Sequence, residues 1–411
     1  MPLVGYTVNR TNFSVPSEYK VLKAEGFGAF GDSVQVVLRE SSKAAAGPQD
    51  PLHGKSTQEQ VFIIRKFANV SAGGQHDSSN HDLWRLVRTL TLHSICGSIQ
   101  GVLPLVDAYR DDQTPSDVYC IYPSMESTLS EVVYSRTRLR LDQVSTILRG
   151  LLRSLDRIHS LGLVLGELRP DWILIEPSLS TVGSVVISNT TYMHLAGEDA
   201  QLVFGGRGDE GHKPFSGKPL LWYRAPEIVL DGTTPTSPAA DIWSLGCVLA
   251  EMFLRRPIFP GETVQQYSTA VCELLGMPRD IHTFFTSTAA IDRLADMPPK
   301  QKVPFATAMP GLPVDVLVLL QRMLVWNPSQ RATAKELLKF PLLTPPQQAA
   351  AHHSPTGVGK SAAAHAPQPV VSPTTAAPPP CAGELKKRWE ELAPEDVSVL
   401  LRNLDECTVF L

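Results

Sequence analysis

Apolar and polar residues along this chain recur at two different periods, and the period changes near residue 125. Residues 19–40 alternate around a glycine cluster, which predicts two strands and a turn. Val61–Phe67 reads as a strand, as do Leu103–Ala108 and Val118–Tyr122, while residues 41–60 read as an exposed loop. Leu83–His93 has helical spacing, with Asp82 as its N-cap. Beyond the change, helical spacing over 141–160, 239–254, 264–276 and 313–325 predicts a mainly helical second part. Within it, GLVLGELRPDWILI at 162–175 reads as two short apolar strands about a turn made by Pro170 and Asp171. From 344 to 383 the composition shifts to Ala, Pro, His, Ser and Thr. Such a stretch buries too little apolar surface to fold and is expected to be a flexible linker. Residues 384–411 regain an amphipathic pattern of one or two helices, with Pro394 at a helix start.

Composition narrows the classes of partner. The 411 residues carry a net charge of −4, which gives no general attraction to nucleic acid or anionic lipid. No apolar run approaches the roughly 20 residues that cross a bilayer. The first ten residues lack a basic stretch followed by an apolar block, and Pro2 stands where myristoylation requires glycine, so neither a secretory leader nor a lipid anchor is expected. Six cysteines lie far apart without a CxxC pair, which suits buried thiols in a reducing compartment. The expected place of action is inside the cell, with the cytoplasm favoured over the nucleus.

Several separated motifs share one order. Gly26-Phe-Gly28-Ala-Phe-Gly31 lies between two predicted strands. Asp117 to Glu126, DVYCIYPSME, follows a strand pattern into a short connection; Leu168-Arg169-Pro170 sits in the turn at 162–175. Trp222-Tyr-Arg-Ala-Pro-Glu227, Asp241-Ile-Trp-Ser-Leu-Gly-Cys247, Arg256-Pro-Ile-Phe-Pro-Gly261 and Met323-Leu-x-x-Asn327-Pro-x-x-Arg331 then follow. Together they resemble protein kinases, in the group that holds the cyclin-dependent and mitogen-activated enzymes. Two other motifs carry no such weight: Gly359-Lys360-Ser361 lacks the glycine a phosphate loop needs, and His352-His353 with His365 sits in the polar linker.

The resemblance implies an α+β, bilobal kinase-like fold, with a small β-rich lobe at 19–122, a hinge at 123–126 and a helical lobe at 127–343. Residues 1–18 would be an N-terminal extension, 344–383 the linker and 384–411 a C-terminal helical segment. It also implies that Glu227 and Arg331 form a buried bidentate ion pair, and that Asp241 holds the catalytic-loop backbone. These roles are structural.

The implied chemical roles fall on altered residues. Phosphoryl transfer needs a cation on the phosphates, oxygen ligands for magnesium and an aligned base. The strand cation aligns with Arg65; Lys66, one residue on, would point to the other face. Ile63 replaces a small residue beside the adenine. The helix glutamate that pairs with the cation aligns with Thr89, and no Glu occurs between Glu59 and Glu126. The metal ligands align with Asn189, which offers a neutral oxygen, and Trp172, which offers none. Glu167 stands at the base and Arg169 at the loop cation; the structural alternative is an exposed charge pair of little consequence. Gly166 removes an arginine that grips an activating phosphate. Phe215-Ser216-Gly217 and Leu220 stand where the activating and catalytic-pair threonines would be. Gly26, Gly28 and Gly31 can still cradle an anion or simply keep a hairpin tight, and Met125 can offer backbone groups to adenine.

These departures lead to the expectation of a pseudokinase that binds proteins, with an active kinase or its substrates as candidate partners, no resident metal and no cofactor. The alternative is an active serine/threonine kinase that uses ATP and magnesium with Glu167 as base. The C-terminal segment, with Trp389, Leu392, Val397, Leu400 and Leu401, is expected either to dock back on the kinase-like lobe or to bind another protein.

Overall fold

A computed structural model describes residues 2–8, 10–28, 31–39, 61–67, 99–111, 113–177, 182–190, 192–197, 220–231, 235–278 and 280–344. The expected loop at 41–60, the helix at 83–93 with Thr89, the positions 215–217, the linker after Thr344 and the C-terminal segment lie outside them.

Strands β1 (Leu3–Val8) and β2 (Thr11–Pro16) form an antiparallel hairpin. A five-stranded antiparallel sheet follows, of β3 (Tyr19–Gly28), β4 (Gly31–Leu38), β5 (Val61–Phe67), β6 (Asp107–Asp111) and β7 (Thr114–Pro123), in the order β3-β4-β5-β7-β6. Leu103–Val106, expected to be strand, precedes β6; its end is tied to the sheet through Val106 N–H to the Ile121 carbonyl. Alternation along β5 sorts its side chains. Phe62 and Ile64 face the hairpin and pack with Phe13, Val15, Tyr19, Val34, Val36, Tyr119 and Ile121. Phe67 faces the other way, with Cys120 and Tyr122, against Leu174 and Val186 of the second lobe.

The second lobe is helical. Thr128, at the end of β8 (Ser127–Thr128), caps α1 (Leu129–Tyr134) reciprocally with Glu131, which fixes where the helix starts. In α2 (Leu141–Ser160) buried Val144, Ile147, Leu148, Leu151, Leu152, Leu155 and Ile158 keep helical spacing along one face. Gly162, at φ +76°, ends the turn after it with an N–H to the His159 carbonyl. Then come β9 (Leu163–Val164), a single 3-10 turn at Pro170–Trp172, β10 (Ile173–Pro177), β11 (Val182–Ile187) and β12 (His194–Leu195). β10 lies between β11 and β8, and β12 pairs with β9. The remaining helices are α3 (Pro226–Leu230), α4 (Pro238–Leu254), α5 (Val264–Leu275), α6 (Thr288–Ala295), α7 (Phe305–Ala308), α8 (Val314–Met323) and α9 (Ala334–Leu337). From Ala240 to Met252 every residue of α4 is buried, so this helix is the axis of the lobe. A β-sheet lobe joined to a helical lobe is the bilobal α+β architecture expected from the sequence.

Candidate active site: the cleft and its floor

The ceiling of the cleft is the sheet face shared by β4, β5 and β7. Register pairs Ser33 with Arg65, Gln35 with Ile63, Ile63 with Tyr122 and Arg65 with Cys120. The Arg65 guanidinium carbon lies 5.4 Å from the centre of the Tyr122 ring. Tyr122 is buried, and burial raises its phenol pKa. Met125 is half-buried and, like Leu174 and Val186, packs against the cluster that contains Tyr122. Gly26, Gly28 and Gly31 close the β3–β4 ladder, with Gly26 opposite Ser33 and Gly28 opposite Gly31.

Lys66 points away from the cleft. Its Nζ donates to the Asn12 carbonyl of the hairpin and pairs with Asp117, each at 2.7 Å. Burial pulls its pKa down, but the Asp117 hydrogen bond and charge outweigh burial and leave it raised. Lys66 is therefore a clamp between sheet and hairpin, and Arg65 is the cation of this strand that shares a face with the cleft.

The floor is the loop from Leu165 to Trp172. Asp241, at the start of α4, reaches up to it: its Oδ2 accepts from the Leu165 N–H at 2.8 Å and its Oδ1 from the Gly166 N–H at 2.9 Å. His159 Nε2 lies 2.9 Å from the same Oδ2. Deeper in the lobe, Arg331 Nη1 and Nη2 each donate at 2.6 Å to one oxygen of Glu227. The guanidinium also donates to the Val325, Ala239 and Trp326 carbonyls and covers the Trp243 ring.

Glu167 and Arg169 are 3% and 1% exposed, so they are not a surface charge pair. Arg169 Nη1 is 4.0 Å from Glu167 Oε1 and its Nε is 3.9 Å from Asp171 Oδ2, which is charge contact beyond hydrogen-bond reach. The guanidinium carbon lies over the Trp172 ring, 4.1 Å from its centre, and Tyr192 stacks near the same ring, at 6.3 Å and 20°. This packing follows from the 3-10 turn, which tucks the indole under the loop, and from Ser188, whose N–H and hydroxyl both donate to the Trp172 carbonyl. Asn189 follows β11 and is 4% exposed.

Magnesium fits this floor poorly. The ion takes carboxylate oxygens at about 2.1 Å. The positions that the resemblance assigns to its ligands carry an amide and an indole, and the loop's own carboxylates, Glu167 and Asp171, both lie within 4.0 Å of the Arg169 guanidinium that covers the indole. Among the described residues, no group of three His, Cys, Asp or Glu side chains could hold a metal ion.

Two features of the site carry no local sequence signal. His194 is fully buried, with Nδ1 2.6 Å from the Tyr192 carbonyl and Nε2 2.6 Å from Thr236 Oγ1. It stands where a side chain on Gly166 would have to go. A Cβ built on Gly166, whose φ is +84°, would lie 2.6 Å from the Tyr192 carbonyl oxygen and 3.2 Å from His194 Cε1. The partnership of Trp172 with Tyr192 likewise spans two loops. Tyr122, by contrast, was within reach of pattern reading, because it pairs across the sheet from Ile63.

No helix among the described residues is long and apolar enough to cross a membrane. The protein kinase domain family matches residues 55–343. The chain is 29% identical over 334 residues to the mitogen-activated protein kinase spk1 of Schizosaccharomyces pombe, spanning 80% of this chain and 79% of that protein. It is 30% identical over 314 residues to mitogen-activated protein kinase 11 of Arabidopsis thaliana, spanning 75% and 78%. It is 31% identical over 340 residues to the mitogen-activated protein kinase PMK1 of Pyricularia oryzae, spanning 82% and 84%. The chain belongs to the protein kinase family, with mitogen-activated protein kinases among its relatives.

Proposed function

We propose that this protein is a pseudokinase, a kinase-shaped scaffold or allosteric regulator that binds other proteins in phosphorylation signalling inside the cell. The observation that carries this reading is the cleft floor, where Arg169 lies over Trp172 and the positions that the resemblance assigns to magnesium ligands hold Asn189 and that indole. The guanidinium offers a divalent ion no oxygen, and it lies in charge contact with both carboxylates of the loop, Glu167 at 4.0 Å and Asp171 at 3.9 Å. Glu167, at the base's position, is buried beside that same cation. Phosphoryl transfer rests on positioning and on charge stabilisation by the metal. Loss of both ligands is therefore expected to suppress the rate by orders of magnitude, each tenfold being about 1.4 kcal/mol of barrier. The partners in this reading are an active kinase or its substrates, and no resident cofactor is needed.

A second reading is supported by one observation: the loop that carries Glu167 is still held from below by Asp241, as an aligned base requires. Here the protein is an active serine/threonine kinase using Glu167 as base, Arg65 and Arg169 as cations and Asn189 as a neutral ligand for the magnesium of ATP.

Thermal stability with ATP, with and without magnesium, separates the readings. No shift supports the binding protein, and a magnesium-independent shift supports a nucleotide-sensing scaffold. A magnesium-dependent shift, joined to radiolabel transfer that disappears in Glu167→Ala, overturns the pseudokinase reading.

A further inference from the structure

The face of α2 away from the core carries Arg149, Arg153 and Arg157, spaced four residues apart. Steps of four residues advance about 6 Å along a helix and drift about 40° around it, so the three side chains form one stripe about 12 Å long. Arg153 is exposed and the other two are half-exposed. No carboxylate comes within ion-pair distance of any of the three among the described residues. Among the described residues, their one side-chain hydrogen bond runs from Arg149 to the Thr146 hydroxyl, at 3.4 Å. Asp142, on the same helix, is taken by Arg140 at 2.9 Å, and Asp156 makes no ion pair among the described residues. Burial and then the charge of Arg153 hold the Arg149 pKa down, as expected for neighbouring like charges with nothing between them. This is a surplus of positive charge on a chain whose net charge is −4.

Ser145 is the next step of the same four-residue ladder, one turn before Arg149. Its hydroxyl donates to the Leu342 carbonyl at 2.5 Å, in the 3-10 turn Pro341–Leu343. The chain therefore leaves the described domain, at Thr344, beside the head of the arginine stripe. Further along the sequence, after the cations Lys386, Lys387 and Arg388, residues 390–411 carry Glu390, Glu391, Glu395, Asp396, Asp405 and Glu406 against the single cation Arg402. The 45 residues between, at up to about 3.5 Å each, span far more than the stripe. A tether of this kind holds the acidic segment at high local concentration, so a modest electrostatic contact is populated.

We propose that Arg149, Arg153 and Arg157 form a docking site for the chain's own acidic C-terminal segment, residues 390–411. The charges are complementary, and the exit point places the segment's tether at one end of the site. This docking is independent of whether the cleft is catalytic.

Hydrogen exchange on the full-length protein tests it. Amides of 390–411 are expected to exchange slowly in the native chain and about tenfold or more faster in Arg149→Glu/Arg153→Glu/Arg157→Glu. Raising salt from about 0.05 to about 0.5 M is expected to do the same to the unaltered chain, because screening shortens the reach of the charges. Reversing Glu390, Glu391, Glu395 and Asp396 to Lys in the triple arginine variant is expected to restore protection. Equal exchange in the native and triple variants overturns the proposal, as does failure of the combined reversal to restore protection. Protection that disappears on dilution identifies a second copy as the occupant and equally overturns docking within one chain. If α2 itself loses protection in the triple variant, the salt series on the native chain decides: insensitivity to salt overturns the proposal.

Discussion

Arg331 holds Glu227 through both terminal nitrogens, each 2.6 Å from a separate carboxylate oxygen, with both side chains in the interior. The pair ties the loop after α8 to the start of α3, two segments more than a hundred residues apart in sequence. Removing one partner leaves the other charge buried and uncompensated. Arg331→Ala is expected to cost about 3–5 kcal/mol of stability. Arg331→Lys keeps the charge but loses the fork and the carbonyl contacts, and is expected to recover only part of that loss. Urea denaturation of the three proteins checks the order; equal stability of all three would contradict it.

Asp241 makes a comparable contact with backbone. Its two oxygens satisfy the Leu165 and Gly166 amides, at 2.8 and 2.9 Å. In Asp241→Ala both amides lose their acceptor, at about 1–3 kcal/mol each. Asp241→Asn keeps one acceptor oxygen and is expected to fall between. Hydrogen exchange of the Leu165 and Gly166 amides should rise in both variants, most in Asp241→Ala.

How much of this was legible in the sequence follows from how local each signal is. The helix over 141–160 was readable because its apolar residues repeat with the helical period and its neighbours repeat nothing. The strand over Val61–Phe67 was readable from alternation, and alternation also separated Lys66 from Arg65 by face. The segment Leu103–Val106 was misread because apolar runs of that length suit strands and buried connections alike. The burial of Glu167 and Arg169 was not legible. Two charged residues in a turn have the composition of a solvated surface, and they are buried by Trp172 and by segments distant in the chain. The contact between His194 and Thr236 is set by the path of two loops, which no period encodes.

Gly166 occupies a left-handed backbone conformation, and its side-chain direction is filled by the Tyr192 carbonyl and His194. Gly166→Ala therefore combines an unfavourable φ with a contact no Cβ tolerates. It is expected to destabilise by about 2 kcal/mol or more. Gly166→Arg, which restores the family's residue type, should be worse still and should displace His194 from Thr236. Denaturation midpoints of the two variants check the ranking; an Arg variant as stable as the native chain would show that the loops have room to reorganise.

Tyr19 gives a pH dependence of defined sign. Burial, then the charges of Glu18 and Asp107, push its hydroxyl from the ordinary 10.0 up to about 12. The ring packs edge-on against Phe62 in the core shared with the hairpin. The folded state therefore holds the proton more tightly than the unfolded state does. The resulting stability is fully present below pH 10 and is lost as pH rises from there through about 12. Over that window the native chain is expected to lose up to about 2 kcal/mol more than Tyr19→Phe, a value kept below the full linkage limit for solvent screening. Unfolding curves taken across the window measure it, and parallel losses in the two proteins would rule out Tyr19 as the source.

If the cleft floor is what keeps magnesium out, restoring the family's ligand types should let it in. Asn189→Asp supplies a carboxylate after β11, and Trp172→Asn replaces the indole with an amide oxygen while freeing the Arg169 guanidinium from its stack. Trp172→Asn alone also removes a buried ring that packs on Tyr192, at about 3 kcal/mol, so the double variant must be compared with that single variant and not with the native chain. Against that baseline the double variant is expected to gain a magnesium-dependent stabilisation by ATP of about 5 °C, the order expected when ligand exceeds its dissociation constant about a hundredfold. Transfer of phosphate should stay low, because Glu167 remains buried. A native chain that already shows the magnesium-dependent shift would mean that Asn189 ligates the ion unaided, and the stack of Arg169 on Trp172 would then have to open for nucleotide rather than exclude it.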